Sequence, residues 1–386
     1  MMPGVHAILS ASAAHRWLNC NQSALFEKQY EEQGSEYAAE GTFAHEVAEI
    51  KLGRALSDAG YWKERPSRRL NKNNEFWSVA LEDYIDGYVA EVMEYIASLK
   101  EPLVMLEQRL DFSKYVPGGF GTGDVVIVSD GALDVIDLKY GKGVPVSAER
   151  NPQLMLYGLG ALETYDCLYD IETVRLHIKQ PRLDDASSYQ ISAAELIDWA
   201  ENEVAPKAEL AMKGEGSFEA GEWCRFCKAR KDCRARAKAN LELTKYEFAP
   251  GPQLTDDEIG DILGKASELK RWVEDIEAFA LEQAEKNGKK WPGWKLVEGR
   301  SNRRYSDEDK IAEILLGENY REEDIFNKKL KGIGDMERLL GKKKFCELLA
   351  EQITKPQGKP TLVPENDKRP ELGSIASAEK DFKEDK

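Results

Sequence analysis

Two long stretches carry apolar residues at helical spacing, and each predicts an amphipathic helix. The first spans about Phe76 to Leu99, with a stripe of Val79, Tyr84, Val89, Val92, Met93 and Ile96. The second spans residues 255–286, with Ile259, Ile262, Leu269, Val273, Ile276 and Phe279, and opens on a capping box of Thr255 and Glu258. Between them the period drops to two. Residues 103–112, 123–129, 133–138 and 172–180 predict strands, and Asp130-Gly131 supplies a two-residue hairpin turn. Further helices are expected from Ser10 or Ser12 to about Tyr30, from about Tyr37 to Leu52, over 148–165, and over 193–213 with a kink at Pro206. Residues 63–73 read as a loop, 307–353 as short helices, and the chain beyond about Lys355 as a flexible tail. Three strands of antiparallel type, then a helix, then another strand give an α/β fold with a mixed central sheet flanked by helices.

Composition narrows the class. The chain has 386 residues, 42% apolar and 32% charged, ordinary for a globular protein of two or three domains. No apolar run is long enough for a transmembrane helix, and the N-terminus lacks the pattern of a signal peptide. A cytoplasmic location is therefore expected, where six cysteines serve as buried thiols or metal ligands rather than disulfides. A net charge of −16 argues against a general nucleic-acid coat. Two local segments run the other way. Residues 224–238 hold seven Lys or Arg against one acid, and 286–305 repeat that ratio with Trp291, Trp294 and Tyr305 interleaved. Basic residues with aromatics suit single-strand stacking, and packing of the tryptophans on the helix at 255–286 explains them equally well.

The chemistry concentrates in G-T-G-D-V-V-I-V-S-D-G-A-L-D-V-I-D-L-K. Asp137 and Lys139 lie two apart in a strand and project from one face, with the Leu138 carbonyl between them. If the flanking strands pair, Asp124 approaches the same place. Two carboxylates and a carbonyl suit Mg²⁺ or Mn²⁺, and an adjacent lysine can support charge developing on a phosphoryl group. Taken alone, D-x-K is also what a solvent-facing ion pair looks like. His45 stands on an early helix, Glu107 on the strand before the motif, and Gln153 and Tyr157 are four apart on one helical face. Cys224, Cys227 and Cys233 follow C-x2-C-x5-C, a ligand spacing for a metal or cluster that lacks a fourth thiol locally; Cys20 is the candidate. Thiolates accept either a 4Fe–4S cluster or Zn²⁺. Cys167 and Cys346 read as packing residues.

In chain order these parts are L-S-A-S…C, G-T…H, G-D, D-x-K, Q-x-x-x-Y and C-x2-C-x5-C. The chain thereby resembles the RecB-type nucleases of the PD-(D/E)xK superfamily over about residues 5–240. It is most similar to the iron–sulfur branch that includes the AddB nuclease domain, CRISPR-associated exonucleases and phage relatives. Gly123 stands before Asp124 where the superfamily's name has proline. The resemblance implies a restriction-endonuclease-like core over 1–240, a helical extension over 241–354 and a tail over 355–386. It implies that His45, Asp124, Asp137 and the Leu138 carbonyl bind Mg²⁺ or Mn²⁺, that Lys139 is catalytic, and that Gln153 and Tyr157 shape the site and contact DNA. Cys20, Cys224, Cys227 and Cys233 would hold a structural 4Fe–4S cluster, or Zn²⁺. Arg225, Lys228, Arg230, Trp291 and Trp294 would bind DNA. The implied activity is metal-dependent DNA hydrolysis, as an exonuclease in phage or bacterial recombination or end processing, with a single-strand annealing or binding protein as partner and without a membrane role. A catalytically silent DNA-binding scaffold and a zinc-stabilised interaction protein are the competing readings.

Overall fold

A computed structural model of the protein describes residues 7–30, 36–63, 67–141, 143, 145–242, 254–297, 307–318, 321–327, 329–354 and 363. Tyr305 and, apart from Val363, the expected tail from residue 355 lie outside these residues.

The helix expected from Ser10 to Tyr30 is broken into pieces. A 3-10 turn at Ala11–Ala13 leads into α1 (Ala14–Asn19), and α2 (Ser23–Phe26) runs into a second 3-10 turn, Glu27–Gln29. Ser10 sits at the cap position, yet its side chain accepts no cap hydrogen bond. The break lies between the two helices, where side chains take carbonyls that a helix would use: Asn21 Nδ2 donates to Trp17 O (3.1 Å) and Ser23 Oγ to Cys20 O (2.6 Å).

Helices α3 (Glu36–Asp58) and α4 (Val79–Ala97) pack together, and Ser78 caps α4 by accepting from the Leu81 amide at 3.1 Å. The buried face of α4 is Leu81, Ile85, Tyr88, Val92 and Ile96. This face is rotated from the expected stripe, so Tyr84, Val89 and Met93 flank the core rather than fill it.

Five strands follow the expected periods and add one. They are β1 (Leu103–Asp111), β2 (Phe120–Ser129), β3 (Ala132–Leu138), β4 (Thr173–Gln180) and the unforeseen β5 (Asp185–Ser192), hydrogen-bonded in that order. Asp130 and Gly131 turn β2 into β3 with φ of 42° and 73°, both in the left-handed region that this hairpin requires. All pairs are antiparallel except β3 with β4, which run parallel. The helix α5 (Pro152–Tyr169) makes the crossover between them.

Both faces of the sheet are covered, which explains why β2 and β3 read as near-continuous apolar runs. Val126, Val128, Leu133 and Val135 belong to the core under α5. Val125, Ile127, Ile136 and Leu138 belong to the core under α3 and α4. Each fully buried aliphatic side chain contributes about 1.5–3 kcal/mol. Close approach of α5 depends on small residues: a Cβ on Gly160 would lie 3.0 Å from Leu110 Cβ, and one on Gly121 of β2 would lie 2.5 Å from the Tyr157 ring. Gly121→Ala is therefore expected to push Tyr157 off its seat and destabilise the fold by about 1–3 kcal/mol, read from the urea midpoint.

Helices α6 (Ala193–Trp199) and α7 (Ala205–Lys213) are joined by a π turn, Ala200–Val204. Pro206 has no N–H to donate and falls in the first turn of α7, directly after the π turn that interrupts the helix. After a 3-10 turn at Glu222–Phe226 come α8 (Arg234–Leu241) and the 32-residue α9 (Asp256–Asn287), whose Thr255–Glu258 capping box forms as expected. No residue of α9 is buried, and Ile259, Val273 and Ile276 of its stripe are exposed. What holds α9 to α8 among the described residues is charge: Arg236 binds Glu268 (2.7 Å) and Asp275 (2.5 Å). Helices α10 (Glu308–Gly317), α11 (Glu322–Ile325), α12 (Ile333–Leu340) and α13 (Lys342–Leu349) complete the chain, and α12 and α13 return to pack on α4.

Candidate functional site

The end of the β2–β3 ladder, in the middle of β2 and at the C-terminal end of β3, brings the two expected aspartates together. Val125 pairs with Ile136, so Asp124 and Asp137 stand opposite one another just past the last paired residues. Leu138 N donates to Asp124 Oδ2 at 2.7 Å, and the next amide, of Lys139, turns the other way to donate to Lys179 O of β4 at 2.9 Å. Because a trans peptide sets its C=O opposite its N–H, the Leu138 carbonyl points to the side of Asp124.

The other side chains of the cluster arrive from α3 and β1. His45 on α3 places Nδ1 3.2 Å from Asp124 Oδ1. Glu107 interrupts β1: Leu106 and Gln108 stay in register with Val125 and Gly123, while Glu107 adopts a φ of 47°. Such a backbone costs about 1–3 kcal/mol in a non-glycine residue. It accompanies a carboxylate set into the pocket, for ligand atoms of His45, Glu107 and Asp124 all lie within 4.8 Å of one another. Asp137 is outside that trio and deeper, 3% exposed. Lys139 Nζ stands 2.8 Å from Asp137 Oδ2 but off the line a hydrogen bond needs, so that buried oxygen has no donor. One imidazole and two carboxylates, with an unsatisfied carboxylate oxygen behind them, fit a divalent cation of the Mg²⁺ or Mn²⁺ type.

The electrostatics of the cluster follow from burial and like charge. Burial and the neighbouring Asp124 push the Glu107 carboxyl up to about 7, against the opposing charge of His45. Burial alone would lower the His45 imidazole, but Asp124, Asp137 and Glu107 raise it. Burial also raises Asp137, with Lys139 opposing and Asp124 reinforcing. A cation must displace protons from such a set. Mn²⁺ affinity is accordingly expected to climb as pH rises through about 7, as Glu107 becomes a carboxylate and the raised His45 imidazole becomes neutral, and to flatten once both have lost their protons; calorimetric titration from about pH 5 to about pH 9 checks this.

Gln153 and Tyr157 share one face of α5, as their spacing predicts, and Asn151 caps the helix just before them. Gln153 Oε1 accepts from Lys139 Nζ at 3.1 Å, and its Nε2 lies 3.3 Å from Asp137 Oδ1 and 3.1 Å from the Tyr157 hydroxyl. The amide thus fixes the lysine and the deep aspartate relative to each other.

The cysteines sit elsewhere, at a seam between the N-terminal segment and residues 216–233. Cys20, Cys224 and Cys227 are buried, Cys233 is half-buried, and all are free thiols. Burial raises Cys20 and Cys224, each with further upward pressure from Cys233. Burial and Glu27 push Cys227 up to about 12. No cysteine group as tight as the His45 trio is present among the described residues. The seam is closed by hydrogen bonds: Arg16 Nε and Lys228 N donate to Glu27 at 2.8 and 2.6 Å, Arg16 Nη1 to Phe226 O at 3.2 Å, and Tyr30 to Asp232 at 2.7 Å.

The expected DNA contacts divide. Arg230 binds Asp275 of α9 at 3.1 Å, so it serves the α8–α9 junction. Arg225 lies 5.5 Å from the exposed Phe226 ring. Trp291 donates to Ala280 O at 2.9 Å and leans on Phe279, whereas Trp294 is 82% exposed. The packing explanation holds for the first tryptophan and leaves the second available.

Comparison with known proteins finds one family model, described as "Protein of unknown function (DUF2800)", matching residues 6–370. A solved structure described as "Crystal structure of SSO0001" aligns with 57% of this chain and 96% of its own, at 16% identity and a TM-score of 0.22. No helix among the described residues is long and apolar enough to cross a membrane.

Proposed function

The chain belongs to the DUF2800 family, and we propose that it is a divalent-metal-dependent deoxyribonuclease of restriction-endonuclease-like core, acting as an exonuclease in recombination or end processing. The observation that carries the proposal is the convergence of Asp124, Asp137 and Lys139 where the β2–β3 ladder ends, with His45 and Glu107 completing a cation-sized acidic pocket. The order of elements supports it as well: a helix bearing the histidine, three antiparallel strands, the crossover helix bearing Gln153, then a parallel strand.

His45, Glu107 and Asp124 would hold the ion, with Asp137 and the Leu138 carbonyl beside it. A bound divalent ion supplies Lewis acidity and lowers the pKa of water at neutral pH. Lys139 would offer its ammonium to charge developing on a phosphoryl oxygen, and Gln153, hydrogen-bonded to both Lys139 and Asp137, orients that ammonium. Tyr88 and Tyr157, both raised by burial, stay neutral and wall the pocket against bulk water. The four cysteines are proposed to hold a structural 4Fe–4S cluster, or Zn²⁺, at the seam; iron, sulfide and zinc analysis of anaerobically purified protein distinguishes these.

The test is cleavage of end-labelled linear DNA and of closed circular DNA with Mg²⁺ or Mn²⁺. Loss of linear DNA alone is the expected result. Cut circles would make the enzyme an endonuclease. DNA binding without cleavage in either metal would replace the proposal with the silent scaffold.

A further inference from the structure

The segment between α3 and α4 carries a cation to the rim of the acidic pocket. We propose that Arg68 is a phosphate-binding residue of this site, gripping the nucleic-acid backbone beside the scissile bond; this rests on the nuclease reading above.

Arg68 is held from both sides. Its carbonyl accepts from Arg54 Nη2 of α3 at 2.6 Å, and two residues on, Leu70 packs against the core under α3 and α4. Its side chain is 54% exposed, with Nη2 3.0 Å from Glu46 Oε1 and Nη1 on Glu49. Glu46 follows the ligand His45, and Glu49 lines the same pocket as His45, Glu107 and Asp124. The charge of Arg68 is felt at Glu107. The guanidinium is therefore preorganised one side chain away from the proposed cation.

Two arguments make this a binding group rather than a counter-ion. Exposed ion pairs are worth at most about 1 kcal/mol, so Glu46 and Glu49 can orient the fork without retaining it. A phosphate offers two oxygens to the same planar donors and matches them in bidentate fashion. The alternative approach to the pocket is hostile to phosphate. Tyr88 also lines a groove between α4 and β5, and that groove presents Asp83, Glu91, Asp184 and Asp185 against Lys179. That groove disfavours a polyanion, whereas the α3 rim presents the half-exposed guanidinium of Arg68, oriented by Glu46 and Glu49.

The test compares wild type, Arg68→Ala and Arg68→Lys for binding of a labelled oligonucleotide with Ca²⁺ in place of the active metal, across a salt series. Arg68→Ala is expected to weaken binding about tenfold and to reduce the salt slope by about one phosphate contact. Arg68→Lys should keep the slope and recover part of the affinity. Mn²⁺ affinity and thermal midpoint should not fall in either variant. Unchanged oligonucleotide affinity and slope in Arg68→Ala, beside a wild type that binds, would overturn the Arg68 proposal alone. So would a loss confined to Mn²⁺ affinity or the thermal midpoint, which would make Arg68 a latch on α3. A wild type that binds no DNA would remove the nuclease reading and this proposal together.

Discussion

Lys139→Ala is expected to slow DNA cleavage by about a hundredfold to a thousandfold while leaving DNA affinity within a few-fold of wild type. Among the described residues the ammonium pairs with Asp137 and Gln153, and Lys139 belongs to neither hydrophobic core, so its removal deletes no core packing. What it does delete is the cation opposing proton uptake by Asp137. The Asp137 carboxyl should therefore rise further in the metal-free variant, and the pH at which Mn²⁺ half-saturates should move upward with it. Single-turnover rates at saturating metal separate the lost charge stabilisation from the weaker metal binding. Full cleavage by the variant under those conditions would remove Lys139 from the chemistry.

The second large effect concerns stability. Asp134 is fully buried in β3, facing α4. It accepts from Tyr95 Oη (2.6 Å) and from Arg175 Nε and Nη2 (2.8 and 2.7 Å), and lies 3.1 Å from His177 Nε2. Asp134→Ala leaves the Arg175 guanidinium and a buried hydroxyl without their acceptor, and is expected to cost about 3–5 kcal/mol in urea unfolding. The pH dependence follows from the same contacts. Burial alone would raise the Asp134 carboxyl, but His177, Arg175 and Tyr95 outweigh it and hold it below the ordinary range. A depressed native value gives stability that is present above the unfolded-state pKa of about 3.9 and lost as pH falls through the native value. Wild type should thus lose an acid-sensitive increment below about pH 4 that the alanine variant lacks. Coincident acid unfolding of the two would contradict this.

These two aspartates show how far the sequence could be read. Both belong to L-D-V-I-D-L, three residues apart and therefore on opposite faces of one strand. Lys139 two residues on marked Asp137 as the chemical one. Nothing local marked Asp134 as structural, because its partners come from α4, which supplies Tyr95, and from β4, where Arg175 is its cross-strand neighbour. The strands β1 to β4 were legible because covered sheets concentrate apolar residues, while β5 (D-A-S-S-Y-Q-I-S) is an edge strand with one buried residue and carried too little signal. Glu107 was visible as an acid in the right strand, but the positive φ accompanying its place in the pocket is set by tertiary context. The N-terminal helix was misjudged for a local reason, since Asn21 and Ser23 compete for backbone carbonyls. The α9 stripe followed its period faithfully and still found no core, which periodicity cannot foretell.

The seam at Glu27 joins residues 201 positions apart in the chain. Trp17, 1% exposed in the finished protein, belongs to the core shared with α5 and lies beside that seam. On the ribosome the two sides emerge roughly 10–40 s apart at ordinary elongation rates of about 5–20 residues per second. Through that interval the first segment has no carbonyl of Phe226 and no amide of Lys228 to meet, and Cys20 has none of Cys224, Cys227 and Cys233 beside it. Nascent chains halted before residue 233 should therefore show a protease-sensitive N-terminal segment, and those halted with α8 clear of the exit tunnel a protected one. A contact made 201 residues later in synthesis thus secures a segment made early.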